Sequence, residues 1–84
     1  MTEREASPNF RPVDTKTQRR AFGRRLRAKR AARGLSLSEF ARRADVAKPT
    51  AWGWEHGDYS PSMGSLRRIT TVLDCTVDDL IEAA

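Results

Sequence analysis

The chain is poor in the residues that build covalent and metal chemistry. It has one cysteine, Cys75, and one histidine, His56, among 84 residues. A lone cysteine excludes an intramolecular disulfide, and Cys75, set in an apolar-rich stretch, reads as a small core residue. His56 has no second ligand nearby, and no nucleophile stands with a base, so neither a metal site nor a catalytic site is expected, and no cofactor. No apolar h-region opens the sequence and no run approaches the length of a bilayer span, so neither export nor a membrane is expected. The expected compartment is the cytoplasm. The length leaves room for one domain with one core, and no separate ligand-binding domain for a small molecule.

What the chain has is positive charge, unevenly placed. Sixteen Lys and Arg stand against eleven Asp and Glu, for a net charge of +5. Residues 16–33 hold nine basic residues and no acid, whereas residues 61–84 hold two basic residues and four acids. A basic end and an acidic end suit a chain that turns one side to a polyanion, nucleic acid before acidic membrane. The bland alternative is a solvated basic helix.

Residues 1–16 are polar, carry Pro8 and Pro12, and have little to bury. They are expected to form a flexible arm, disordered when free, with the domain occupying 17–84. A first helix is expected over Thr17–Arg33, with Phe22, Leu26 and Arg30 at i, i+4 and i+8 and Gly34 as its stop. Ser36 and Glu39 fit a reciprocal capping box opening a second helix, Leu37–Ala44. A third helix follows over Lys48–His56, with Pro49 tolerated in its first turn and Gly57 ending it. Ser62 caps a fourth, with the stripe Met63, Leu66, Ile69, Val72 and Leu73. Thr76 caps a short fifth, with Asp78 and Asp79 at its positive end. There is no strand signal, so the fold class is all-α, a compact bundle of five helices.

The most informative stretch is Leu35–Gly57, two short helices joined by a tight turn. This is the pattern of a helix-turn-helix, whose second helix lies in the DNA major groove. The chain resembles the phage Cro and lambda-type repressor family. The resemblance rests on Phe22-Gly23-Arg24-Arg25-Leu26, Arg30, Gly34-Leu35-Ser36, Glu39-Phe40-Ala41, Val46, Trp54-Glu55-His56-Gly57, Pro61-Ser62, and Leu73 through Leu80. It implies a five-helix domain and an ion pair between Arg30 and Glu55. The residues agree, because an arginine on an apolar stripe needs a charged partner. The sequence departs from the family at four positions. Leu37 replaces a phosphate-gripping glutamine, Asp45 the turn glycine, Ala47 the serine cap, and Ala51 a large apolar residue whose space Trp54 and Phe40 would fill.

The resemblance places base readout at Lys48, Pro49, Thr50 and Gly53. Lys48 suits guanine O6 and N7, or a phosphate. Thr50 has a hydroxyl for phosphate and a methyl for thymine. Gly53, costly inside a helix, suggests close approach of DNA to the backbone, or drift at a neutral site. Trp52 joins the set as an outward aromatic that packs on DNA, on a partner protein, or back over the second helix. His56 reads as solvated or capping. Phosphate contacts are expected from Ser38, Arg42 and Arg43, and from Lys16, Arg19 and Arg20 at the root of the arm, which is otherwise solvated.

Such domains read two-fold symmetric sites as dimers. Val77, Leu80 and Ile81 are expected either to form the dimer contact or to close the monomer core. The leading expectation is a sequence-specific regulator of transcription that binds double-stranded DNA, most simply a repressor at the nucleoid of a bacterial host. The competing expectation is a protein-interaction module, such as an antitoxin or controller protein whose arm binds a partner protein.

Overall fold

The computed structural model describes residues 15–81. The expected arm therefore lies outside the described residues, apart from its last two positions. Five helices follow in order: α1 Lys16–Ala32, α2 Leu37–Arg43, α3 Lys48–His56, α4 Met63–Leu73 and α5 Val77–Ile81. Among the described residues there is no strand, and no helix is long and apolar enough to cross a membrane.

Local chemistry sets most of the boundaries. At the start of α1 the Gln18 amide donates to Thr15 Oγ1 while the Thr15 amide donates to Gln18 Oε1, each at 3.0 Å. This capping box starts α1 one residue before the expected Thr17. Gly34, at φ +69°, reverses the chain at the other end, where the Leu35 amide reaches back to Arg30 O at 3.2 Å. Ser36 and Ser62 cap α2 and α4 by accepting from the Glu39 and Ser65 amides at 3.0 and 3.1 Å. Only half of the expected Ser36 box forms, because the Glu39 carboxylate lies on Arg42 and Arg43 instead of reaching back. At α5, where a Thr76 cap alone is expected, a complete box forms. Asp79 N donates to Thr76 Oγ1 and Thr76 N to Asp79 Oδ2. The Thr76 amide, with the Thr76 hydroxyl, holds the Asp79 carboxyl below the usual aspartate range.

The core takes one stripe from each helix: Phe22 and Leu26, then Phe40, Ala41 and Ala44, then Ala51 and Trp54, then Leu66, Ile69 and Leu73, and finally Leu80. Phe40 and Trp54 both belong to the cluster around the small Ala51. Two expectations need correction. Met63 is 44% exposed, because the first residue of α4 faces out before the stripe turns inward. Leu80 is 0% exposed; it closes the monomer core and leaves no surface for a dimer contact. Val77 and Ile81 are partly buried against that core. Cys75 packs there too, and burial pushes its thiol up.

The packing of α1 on α3 depends on one small residue. A Cβ placed on Gly23 would stand 2.7 Å from Trp54 O and from Glu55 C, so only glycine lets the two backbones come this close. That approach brings Arg30 to Glu55. Nε and Nη2 of Arg30 donate to the two carboxylate oxygens at 2.5 and 3.0 Å, and Nη1 donates to Leu35 O at 2.8 Å. The side chains are 14% and 3% exposed. The pair pushes the Arg30 guanidinium further above its ordinary range through the Glu55 hydrogen bonds. One side chain thus ties α1 to the end of α3 and to the segment leading into α2.

Candidate nucleic-acid interface

Between α2 and α3 the chain turns in four residues. Asp45 takes the left-handed conformation at φ 62°, where short polar side chains are better tolerated than others. The Val46 amide then bonds Ala41 O at 3.0 Å. Ala47 has cap geometry but no side-chain cap; Pro49 carries no amide hydrogen, and the Thr50 amide closes the first turn on Ala47 O at 3.0 Å. Gly57, at φ 77°, ends α3 in a left-handed turn.

This geometry sorts the residues of α3 into two faces. Ala51, Gly53, Trp54 and Glu55 are buried. Lys48, Pro49, Trp52 and His56 are exposed, with Thr50 half-buried at the edge. Trp52 is 47% exposed. Its ring lies flat on the His56 imidazole, centroids 3.6 Å apart and planes 11° apart. His56 Nδ1 donates to Trp52 O at 2.9 Å, which holds the imidazole one turn along the helix. The outward face of α3 therefore presents a rigid aromatic pair behind Lys48 and Pro49.

Gly53 is not on that face. Its Cα is covered by Tyr59, and a Cβ there would stand 2.5 Å from Tyr59 Cε2 and 2.6 Å from the hydroxyl oxygen. The Tyr59 hydroxyl donates to Pro49 O at 3.3 Å. The close neighbour inferred from a mid-helix glycine is thus a side chain of the same molecule, so the direct base contact expected at Gly53 has no room. Tyr59 is the residue that sequence reasoning missed. The signal available was an aromatic placed just past the Gly57 stop, within reach of a helix that carries a hole.

The expected phosphate-binding residues fall into two groups. Ser38, Arg42 and Arg43 are exposed on α2, and Lys16 and Arg20 on α1. Arg42 and Arg43 both lie on Glu39, Arg43 Nε at 2.9 Å. The Arg43 guanidinium, with Arg42 beside it, holds the Glu39 carboxyl below the usual carboxylate range. Arg19 is turned inward instead, and its Nε donates to Gly57 O at 2.9 Å. There it caps the negative end of α3. Arg33 and Arg68 serve α4 and α2 in the same way, reaching Leu73 O at 3.4 Å and Ala44 O at 3.0 Å.

The helix-turn-helix domain family matches residues 21–84. C.AhdI, the restriction-modification controller protein of Aeromonas hydrophila, superposes with a TM-score of 0.73 at 30% identity, over 76% of this chain and 97% of that one. ClgR, the clp gene regulator of Corynebacterium glutamicum, gives a TM-score of 0.73 at 29% identity, over 77% of this chain and 69% of that one. Among curated protein sequences, none matches. The exposed α3, the turn at Asp45, the buried Arg30–Glu55 pair and the family match over residues 21–84 agree: the chain belongs to the helix-turn-helix domain family, in its Cro and lambda-type repressor branch.

Proposed function

We propose that this protein is a sequence-specific regulator of transcription that binds double-stranded DNA, with α3 in the major groove, and acts as a small repressor. The observation that carries the reading is the outward face of α3. Lys48, Pro49 and Trp52 are exposed at its N-terminal half, and Arg42 and Arg43 are exposed on α2. An exposed helix face on a domain that also exposes basic side chains is what a major groove bordered by phosphates accepts. Lys48 is the donor suited to guanine O6 and N7. Ser38, Arg42, Arg43, Lys16 and Arg20 are the phosphate set, and Arg19 supports them by holding α1 to the end of α3. The two similar structures are a controller protein and a gene regulator, which supports regulation as the role.

One domain reads few base pairs, so the reading includes a two-fold dimer on a symmetric site. Val77 and Ile81 are the apolar groups on α5 left to contribute to that contact, since Leu80 is spent in the core. Selection from a random pool of duplexes with the pure protein, followed by sequencing, tests the reading. The expected winner is a symmetric motif with half-sites about one DNA turn, roughly 34 Å, apart. Its affinity should fall steeply with salt, with a logarithmic slope of about −0.9 for each phosphate neutralised, or about −5 if six are. A pool that yields no motif, with only weak salt-sensitive binding, would overturn it.

A further inference from the structure

We infer that the reading surface contains an apolar slot, walled by Trp52 and Tyr59, that receives the 5-methyl group of a thymine. The inference rests on the proposal that α3 enters the major groove, and it names what one part of that surface reads.

The slot is an open groove of about 430 Å³ lined by Lys48, Pro49, Trp52 and Tyr59. Its two walls come from different segments. Trp52 belongs to α3, and its indole is held by the stack on His56. Tyr59 belongs to the loop after α3, and its ring is held over Gly53 by the hydroxyl bond to Pro49 O. Any side chain at position 53 would displace that ring. Trp52 and Tyr59 are each 47% exposed, an unusual cost for two aromatics on one small domain unless something covers them.

The occupant follows from the surroundings. Three of the four lining side chains are apolar or aromatic, the fourth is a lysine, and none is a carboxylate. On the far side of Trp52 a second groove of about 260 Å³ is lined by Arg27, Arg30, Leu37, Trp52, Glu55 and His56; Arg30 and Glu55 neutralise each other there, so Arg27 and Lys48 are the cations that border the two grooves. A surface that is apolar at its centre and cationic at its rim matches a polyanion that offers an apolar group. In the major groove only one of the four bases does so, because thymine alone carries a methyl there. The edges of guanine, adenine and cytosine present donors or acceptors, which lose water against Trp52 and Tyr59 without gaining a partner. The slot therefore selects by attraction to the methyl and by the penalty on the other edges. Lys48 stands at the mouth, where it can donate to O4 of the same thymine or to a neighbouring guanine.

The test uses the full chain and the duplex recovered from the random pool, with each thymine replaced singly by deoxyuridine. Deoxyuridine keeps the pairing and removes only the methyl. Binding at one position per half-site should weaken by about fourfold, the worth of one buried carbon. Tyr59→Ala should bind the thymine and uracil duplexes equally, which makes the pair a double-mutant cycle. Tyr59→Phe keeps the ring and should keep the discrimination. Helical circular dichroism confirms that each variant is folded. If uracil at every position leaves the affinity of the selected duplex unchanged, the slot takes no methyl, although the DNA-binding reading stands. If the uracil penalty survives in folded Tyr59→Ala, the methyl is read elsewhere and the assignment fails. If folded Tyr59→Ala and Trp52→Ala bind every duplex as the parent does, the slot belongs to a protein partner. If no duplex is bound at all, both readings fall.

Discussion

Replacing Arg30 with alanine isolates the largest single polar term in this fold. Glu55 lies at the end of α3 with its side chain 3% exposed, and Arg30 supplies both of its hydrogen bonds and a third to Leu35 O. Arg30→Ala strands a buried carboxylate and removes a donor from a backbone carbonyl. Stranding one member of a buried pair costs about 3–5 kcal/mol. A domain of this size has a total stability on the order of 5–15 kcal/mol, so the variant loses a large fraction of it. At about 4–8 °C per kcal/mol the melting temperature falls by at least ~12 °C. Urea unfolding followed by helical circular dichroism reads this directly as a lower midpoint with an unchanged slope. Arg30→Lys keeps the charge but loses the fork geometry, and should fall between parent and alanine. Replacing both partners by methionine should recover most of the loss, because nothing is then left unpaired. A loss below about 1 kcal/mol for Arg30→Ala, the range of a surface pair, would refute the reasoning. So would a double variant no more stable than the single one.

Three further outcomes follow from the same geometry. Gly23→Ala drives a methyl into the α3 backbone at 2.7 Å from Trp54 O; it should destabilise by about 1–3 kcal/mol in the same urea titration, and a neutral result would mean that α1 and α3 slide apart freely. Glu39→Gln releases Arg42 and Arg43 from an internal carboxylate; tighter binding to the selected duplex and a salt slope steeper by about one unit are expected, and unchanged values would show that these arginines meet no phosphate. Asp79 has its carboxyl held low by the Thr76 amide and hydroxyl, so its contribution is present above the ordinary aspartate range and is lost as pH falls through the depressed folded value. The protection of the α5 amides, their exchange relative to an unstructured chain at the same pH, should therefore fall in acid for the parent and be low at every pH in Asp79→Asn.

The helix ends were legible because their chemistry is local. Ser36, Ser62 and Thr76 each cap a helix through an amide three residues on, and Gly34 and Gly57 take the left-handed backbone that stops one. The Arg30–Glu55 pair was legible for a different reason: an arginine on an apolar stripe demands an acid, and the family resemblance indicates which. Sidedness in short helices was less legible. Met63 fits the period of α4 yet precedes its first inward turn, and five residues of α5 cannot say which of Val77, Leu80 and Ile81 faces the core. Charge was the least legible. Arg19, Arg33 and Arg68 look like free cations, but each caps a helix whose end lies 38, 40 or 24 residues away in the chain. Counting basic residues overstates the charge available to a polyanion, because composition does not record which arginines the fold itself consumes.

Gly53 shows how a sound physical inference can select the wrong neighbour. A glycine inside a helix gives up about 1 kcal/mol against alanine, and that loss points to something approaching the backbone too closely for a Cβ. The approach is real, but the approaching group is Tyr59. The distinction changes the nature of the surface. A glycine facing DNA would contribute backbone alone, whereas a glycine roofed by a phenol ring contributes the ring, carried by a loop and braced on Pro49 O. The surface of α3 thereby gains an aromatic group supplied by a different segment of the chain. Its neighbour Trp52 is stacked on His56, so each ring has a partner within the molecule. Walls ordered in advance lose little entropy on binding, which is the condition under which the proposed slot would discriminate among bases.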